Sequence, residues 1–158
     1  MERGTTLFLK ITVCLIGIVV LAMVCILLPI IAHEVSDDYP AHLLYPIFIV
    51  MYCSVVPFFY ALYQSLRLLG YIDKKEAFSD LSVQALKRIK YCALTISLLY
   101  VAGFPFFFML ADKDDAPGLA VIGLVIIFAS MVIAVFAAVL QKLLKKAIDI
   151  KSENDLTV

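Results

Sequence analysis

The stretch RLLGYIDKKEAFSDLSVQALKRIK, residues 67–90, decides how the rest of the chain folds. It is the one long polar interruption in an otherwise apolar sequence, and it carries six of the 13 lysines and arginines. Two apolar segments precede it and two follow it. Each has about 20 residues or more, which is enough to cross a bilayer as a helix. The sequence therefore predicts a membrane protein with four transmembrane helices.

The composition agrees with this prediction. Of the 158 residues, 64% are hydrophobic and 16% are charged. In soluble domains, by comparison, about 45–50% of residues are apolar and about 25% are charged. The apolar excess lies in blocks, so we expect one membrane domain in contact with the lipid bilayer. The formal net charge is zero, which gives no indication of direct nucleic acid binding.

We predict an all-α fold, a four-transmembrane-helix bundle with a short cytoplasmic amphipathic helix between spans 2 and 3. The spans are expected at about residues 11–32, 43–66, 91–110 and 119–140, the amphipathic helix at about 79–90 and a cytoplasmic tail at about 141–158. Ser79 is a candidate N-cap for the amphipathic helix, and apolar residues recur at helical spacing from Leu81 to Ile89. We expect this helix to lie along the membrane surface.

Lysine and arginine positions predict the orientation. Short cytoplasmic loops of membrane proteins are enriched in these two residues. Placing both termini in the cytoplasm puts twelve of the 13 basic residues on that side and leaves only Lys113 outside. We therefore expect a multi-pass protein of the plasma membrane with cytoplasmic N- and C-termini.

The two halves of the chain show a weak internal similarity. Residues 61–66 (ALYQSL) and 138–143 (AVLQKL) are each followed by an Ile-Asp pair, which ends at Asp73 or Asp149. Corresponding lysines precede spans 1 and 3: Lys10 and Lys90. The pattern fits a parallel duplication of a helical hairpin, and it equally fits chance similarity between apolar helices.

Residues that would perform chemistry are scarce. The sequence has no nucleophile-elbow, zinc-protease or phosphate-loop motif. Its four cysteines form no C-x-x-C pair, so they predict neither a disulfide framework nor a zinc site. No Asp, Glu, Lys or Arg is expected at mid-membrane depth, where ion-coupled transporters usually carry one. We therefore expect no enzymatic activity and no cofactor.

Three groups of residues are candidates for binding or packing. Cytoplasmic residues that would dock a soluble partner, or else meet anionic lipid headgroups, are Ser79, Gln84, Lys87, Arg88, Lys142, Lys145 and Lys146. Residues that would pack helices within the monomer or in a homodimer are Gly123, Ser130, Ala134, Ala138, Gln64 and Gln141. Outer carboxylates that would bind a cation, or that merely reflect the exclusion of lysine from outer loops, are Glu34, Asp37, Asp38, Asp112, Asp114 and Asp115.

Several short segments resemble a family of small four-span bacterial membrane proteins of unknown function, the YoaS-like type. They are residues 72–74 (IDK), 77–79 (AFS), 83–89 (VQALKRI), 4–6 (GTT) and 147–149 (AID). The likeness extends over essentially the whole chain, although the family often has a proline where Ala77 stands. Members are often encoded beside a short helix-turn-helix regulator, so the resemblance implies a regulatory pairing. It brings no catalytic residues.

The leading functional hypothesis is a non-enzymatic sensing or regulatory membrane component that acts with a small cytoplasmic helix-turn-helix regulator. A first alternative is a permease, channel or transport subunit for a small or lipophilic solute. A second alternative is an envelope protein that confers tolerance to membrane-active compounds.

Overall fold

A computed structural model describes residues 2–113, 115 and 117–156. The helices are α1 (Glu2–Ala22), a π-helical segment (Met23–Leu27), α2 (Leu28–Val35), α3 (Ala41–Asp73), α4 (Asp80–Lys113) and α5 (Pro117–Leu156). Within the described residues, four helical stretches are long and apolar enough to cross a membrane: Gly4–Val35, Ala41–Asp73, Asp80–Lys113 and Pro117–Asn154. The all-α fold and the number of candidate spans are therefore confirmed.

The first candidate span contains a local change of helical geometry. The N–H of Leu28 bonds to the carbonyl of Met23, five residues back, and α2 resumes the ordinary pattern with Pro29 near its start. Proline has no N–H to donate, and wide turns of this kind are a common response to a disrupted hydrogen-bond ladder. Pro29 therefore accounts for the break between α1 and α2.

The helices are longer than the expected spans. α5 has 40 residues, which corresponds to about 60 Å of helix, whereas the hydrocarbon core is about 30 Å thick. Its helical structure continues to Leu156, so the described part of the expected tail is helical. The polar ends of α3, α4 and α5 consequently extend beyond the apolar layer.

The expected amphipathic helix is not a separate element. Residues 80–90 are helical, but they form the first turns of α4, which continues to Lys113. Neither proline nor glycine occurs between Asp80 and Ala102, so nothing in the sequence ends the helix near Lys90. Ala85 and Leu86 are buried, and the helices that pack against α4 are α3 and α5. Part of the apolar face of this segment is thus covered by protein, whereas Leu81 at its start is 48% exposed.

Helix packing follows the order of the chain. Within the described residues, the substantial contacts between spans join α1 to α3, α3 to α4 and α4 to α5. A closed four-helix bundle also requires packing between the first and last helices. The arrangement is therefore an open row with α4 in its interior, in which the first and last helices make no substantial contact among the described residues.

The core of this row lies on α4. Ile47, Tyr100 and Phe107 form a buried cluster, against which apolar residues of α3 and α5 pack. The rings of Tyr100 and Phe107 are stacked, with centroids 6.0 Å apart. The hydroxyl oxygens of Tyr100 and Ser54 lie 3.3 Å apart, so the phenol is hydrogen-bonded to α3 inside the apolar layer. This bond satisfies the hydroxyl of Tyr100 at a place where no water is present to bond to it.

α3 approaches α4 closely at Gly103. A methyl group at this position would lie 2.8 Å from Cγ2 of Val50 and 3.4 Å from Cβ of the same residue. Valine has a stiff side chain that cannot rotate away easily. Glycine is therefore required here by the distance between the two helices.

We expect Gly103→Ala to destabilise the protein by roughly 1–3 kcal/mol, because overpacking forces the two helices apart. Thermal unfolding in detergent, followed by circular dichroism, measures the change. Val50→Ala in the same chain should restore part of the loss. Gly70→Ala is the matched control: no atom lies within 4 Å of a methyl group there, so unchanged or higher stability is expected. Equal stability of Gly103→Ala and the parent chain would contradict the packing argument.

Candidate functional site at the basic end of the helices

The connection between α3 and α4 is a compact turn. The N–H of Glu76 bonds to the carbonyl of Tyr71 at 2.7 Å, and the N–H of Lys75 bonds to that of Ile72 at 3.1 Å. Lys75 has a φ angle of 61°, the left-handed conformation that closes this type of helix end and is usually taken by glycine. Together these features end α3 sharply and return the chain into α4.

Two serines hold the start of α4 against this turn. Ser79 Oγ donates to the carbonyl of Glu76 at 2.6 Å, and Ser82 Oγ approaches the same carbonyl at 3.3 Å. Ser79 occupies the position before the helix, and the N–H of Val83 bonds to its carbonyl. The predicted position of Ser79 is therefore correct, but its hydroxyl donates backwards to the turn.

An ion pair joins α1 to the end of α3. Lys10 Nζ lies 2.7 Å from Asp73 Oδ2, and the two side chains are 33% and 25% exposed. Asp73 is the last residue of α3, where the helix dipole disfavours a carboxylate. Lys10 therefore supplies the positive charge that this carboxylate needs, and it links two helices that are otherwise lightly packed.

Aromatic side chains accompany the cations at this end. The guanidinium of Arg67 lies 5.8 Å from the ring centroids of both Tyr63 and Tyr71. Lys90 Nζ lies 4.7 Å from the centroid of the Tyr91 ring. Tyrosine and basic side chains concentrate at the boundary between hydrocarbon and water. These contacts mark the level at which the helices leave the apolar layer.

The predicted packing residues lie mainly inside the row. Gln64 is 1% exposed, and Ser130 and Ala134 are also buried. Gly123 is buried and faces the Phe104 ring of α4. Gln141 is half-buried and accepts a hydrogen bond of 3.4 Å from Lys90.

The buried stripe of α5 differs in one residue from the predicted stripe. Ala137 is 4% exposed, whereas Ala138, the predicted member, is half-buried. The two alanines are adjacent on the helix, and both lie near the face that packs on α4. A spacing of four residues drifts around an α-helix with 3.6 residues per turn, so the second step, from Ala134 to Ala138, moves off the line of contact with α4.

Six of the seven predicted docking residues form one exposed group. Gln84, Lys87 and Arg88 of α4 are exposed, as are Lys142, Lys145 and Lys146 of α5. Each trio has the spacing i, i+3, i+4, which places its members on one face of a helix. We call these six residues the basic end surface. Ser79, the seventh, is half-buried and bonded to the turn.

The antiparallel packing of α4 and α5 brings the two trios to the same end. The bond between Lys90 and Gln141 joins the helices at the level where both trios begin. Lys87 and Arg88 lie within one turn of Lys90, and Lys142 follows Gln141 directly. The basic end surface is therefore built from two adjoining helices.

The outer carboxylates show no comparable convergence. Glu34, Asp37, Asp38, Asp112 and Asp115 are exposed, and Asp114 lies outside the described residues. Among the residues that the structure describes, no three His, Cys, Asp or Glu side chains are grouped so that they would hold a metal ion. Within the described part of the chain, α2, which precedes the turn that contains Asp37 and Asp38, has its substantial contacts with the π-helical segment.

We expect the Lys10–Asp73 pair to contribute about 0.5–1 kcal/mol to stability, the upper range for a partly exposed pair. A double-mutant cycle with Lys10→Met and Asp73→Asn, followed by unfolding in detergent, measures the coupling. In the Lys10→Met background, Asp73→Asn should cost less stability than it does in the parent chain, because the ion pair has already been lost. Lys74→Met, at the exposed neighbouring position, is the control. Additive effects of Lys10→Met and Asp73→Asn would contradict the pair.

Comparisons with known proteins agree with the resemblance drawn from the sequence. Residues 30–158 match the model of a family described as "Protein of unknown function (DUF2975)". The chain is 62% identical over 160 residues to the "Uncharacterized membrane protein YoaS" of Bacillus subtilis (strain 168), with 100% of both chains covered. No solved structure matches the chain. The chain is therefore a membrane protein that belongs to the DUF2975 family.

Proposed function

We propose that the protein is a non-enzymatic membrane component of a sensing or regulatory pair. In this proposal it spans the plasma membrane four times with both termini in the cytoplasm. Its basic end surface holds or releases a small cytoplasmic helix-turn-helix regulator. The single observation that carries the proposal is the exposure of six polar and basic side chains on two adjoining helices that extend beyond the apolar layer.

The length of the helices supports a protein partner. If lipid headgroups were the sole target, lysines at the membrane boundary would suffice. α5 instead continues for 15 residues after Gln141, to Leu156, which is about 22 Å of helix. A rigid projection of this length presents side chains to a soluble protein beyond the headgroups.

The charge of the surface supports the class of partner. A helix-turn-helix protein uses its basic face for DNA, so a membrane partner with a basic surface would meet its remaining, less basic faces. Electrostatic complementarity of this kind sets the orientation and rate of association. The family resemblance, which implies a neighbouring regulator of this class, points in the same direction.

The proposed orientation predicts which turns are accessible from outside the cell. The four native cysteines are replaced by alanine, and a single cysteine is placed at Asp37 or at Lys74, both exposed. A membrane-impermeant maleimide should label Asp37→Cys in intact cells and Lys74→Cys only in inverted vesicles. Labelling of Lys74→Cys in intact cells would reverse the orientation and remove the cytoplasmic docking surface.

The docking proposal predicts a selective loss of partner retention. The test co-purifies the full-length protein, in a mild detergent, with the helix-turn-helix regulator that the family resemblance implies. Lys87→Glu/Arg88→Glu should reduce the retained regulator by about tenfold, because two attractive charges become repulsive. Lys74→Glu/Lys75→Glu makes the same change of charge in the turn beside α4, outside the basic end surface, and should retain the regulator.

Two results would count against the docking proposal. One is failure of the parent chain to retain the regulator under any condition of envelope stress. The other is an equal loss in both charge-reversal variants, which would indicate a general electrostatic effect. Either result would favour the alternatives of solute transport or tolerance to membrane-active compounds.

A further inference from the structure

Two half-buried lysines occupy corresponding places in the row but have different partners. Lys10 precedes the apolar part of the first span, and Lys90 precedes that of the third. Lys10 has a carboxylate partner, Asp73, at 2.7 Å. Lys90 has a neutral one, the amide oxygen of Gln141 at 3.4 Å, and no Asp or Glu among the described residues forms an ion pair with it. The ammonium also lies 4.7 Å from the centroid of the Tyr91 ring. Among the described residues, Lys90 therefore has a polar and an aromatic contact but no carboxylate counterion.

The internal similarity indicates where a counterion for Lys90 would be expected. Asp149 corresponds to Asp73 in the second half of the chain. It is exposed and lies eight residues beyond Gln141 on α5, which is about 12 Å along the helix. The second half of the chain thus has the corresponding aspartate, Asp149, but this residue forms no ion pair with Lys90.

A half-buried ammonium at the membrane boundary favours an anionic partner. The ammonium is incompletely hydrated, which costs free energy. Electrostatic attraction to a nearby negative group offsets this desolvation cost. An ammonium has three N–H donors. Gln141 accepts one of them, at the long end of the hydrogen-bond range. Donor capacity therefore remains for a phosphate oxygen.

An apolar groove runs along the membrane side of this lysine. It lies between α4 and α5, has a volume of about 210 Å³ and is lined by Lys90, Leu94, Met131, Ala134, Val135 and Ala138. Two of the lining residues are alanines, which leave space between the larger side chains of Leu94, Met131 and Val135. From Met131 to Ala138 the groove extends about 10 Å along α5.

We propose that this groove binds one anionic phospholipid. The phosphate contacts the ammonium of Lys90 at the rim, and an acyl chain lies on Ala134 and Ala138 between Leu94 and Met131. The arrangement matches the amphipathic shape of a lipid: a cation lies at one end, and an apolar channel leads from it toward the membrane interior. The proposal requires membrane insertion but is independent of the regulator.

An anionic phospholipid matches both the cation and the apolar groove, whereas a phosphate or an acyl chain alone would match only one of them. A soluble phosphate would leave the apolar groove unfilled, and a neutral lipid would leave Lys90 without a counterion. Any lipid tail is able to lie in an apolar groove, so specificity comes from the charge. The expected signature is a preference for an anionic headgroup that depends on Lys90, combined with a dependence on the groove itself.

Native mass spectrometry of the full-length, delipidated protein tests this proposal. Phosphatidylglycerol and phosphatidylcholine with identical acyl chains are titrated separately. We expect the parent chain to bind phosphatidylglycerol about fivefold more tightly, as for one lysine at an anionic membrane surface. Lys90→Gln should abolish this preference. Lys145→Gln, which removes an exposed lysine of the basic end surface, should retain it.

The acyl chain is tested by filling the groove. Ala138→Leu should weaken binding of phosphatidylglycerol by at least fivefold, whereas Ala129→Leu, an exposed position of α5 outside the groove, should not. Soluble glycerol phosphate should fail to compete. If Ala138→Leu does not fold, by circular dichroism, Lys90→Gln carries the test alone. Equal affinity of the parent chain for the two lipids, no effect of Lys90→Gln, or competition by glycerol phosphate would overturn the proposal.

Discussion

Backbone hydrogen bonding in hydrocarbon is the constraint on which this structure depends. An N–H or carbonyl that enters the apolar layer must find its partner within its own segment, because no water is present to replace it. A helix in such a layer therefore continues until the sequence offers a way to end. α3 ends where Lys75 takes a left-handed conformation and two backbone bonds close the turn. α4 meets no such signal at Lys90 and continues through the boundary as one helix.

That continuity explains the geometry of the polar end. Because residues 80–90 are continuous with the rest of α4, Ala85 and Leu86 are buried, and the polar face of this segment is carried outward on the same helix. Gln84, Lys87 and Arg88 are consequently exposed next to the corresponding trio of α5. A separate interfacial helix would have laid its apolar face on lipid and separated these trios. The basic end surface is a product of helix continuity as much as of the positions of the lysines.

Much of this architecture could be predicted from residue type alone. The apolar blocks specify the spans, and the charged run from Asp73 to Glu76 is typical of a turn, because both depend on local chemistry. The extent of α4 was less predictable. The apolar residues at its start have the same helical spacing whether the helix ends at the membrane boundary or continues through it. The pairing of Lys10 with Asp73 joins residues 63 positions apart, and local periodicity does not report it. The burial of Ala137 likewise depends on how α5 is rotated against α4.

The open row also separates a firmly packed part from a loosely packed one. α4 lies between two neighbours, whereas none of the most apolar window of the first span is buried by protein. The family match begins at residue 30, so it includes all of α3, α4 and α5 but little of this first span. α1 is held at its polar end by Lys10 and at Gly17, where an added methyl group would lie 3.4 Å from Leu62. The first span therefore depends on lipid for most of its environment, and its attachment to the row is concentrated at the end where the cations lie.

The same end contains cations in two different environments, and this difference separates the two proposed interactions. Lys90 is half-buried beside an apolar groove, whereas Lys145 and Lys146 are exposed and lie one to two turns beyond Gln141. Lys145 and Lys146 lie about 6–8 Å beyond Gln141 along α5, which does not exceed the screening length of about 8 Å at physiological ionic strength. A lipid phosphate at Lys90 would therefore weaken the attraction of these two lysines but leave their own charges in place. Lipid at the boundary and a protein partner beyond it would therefore occupy the same end of the molecule without competing for the same charge.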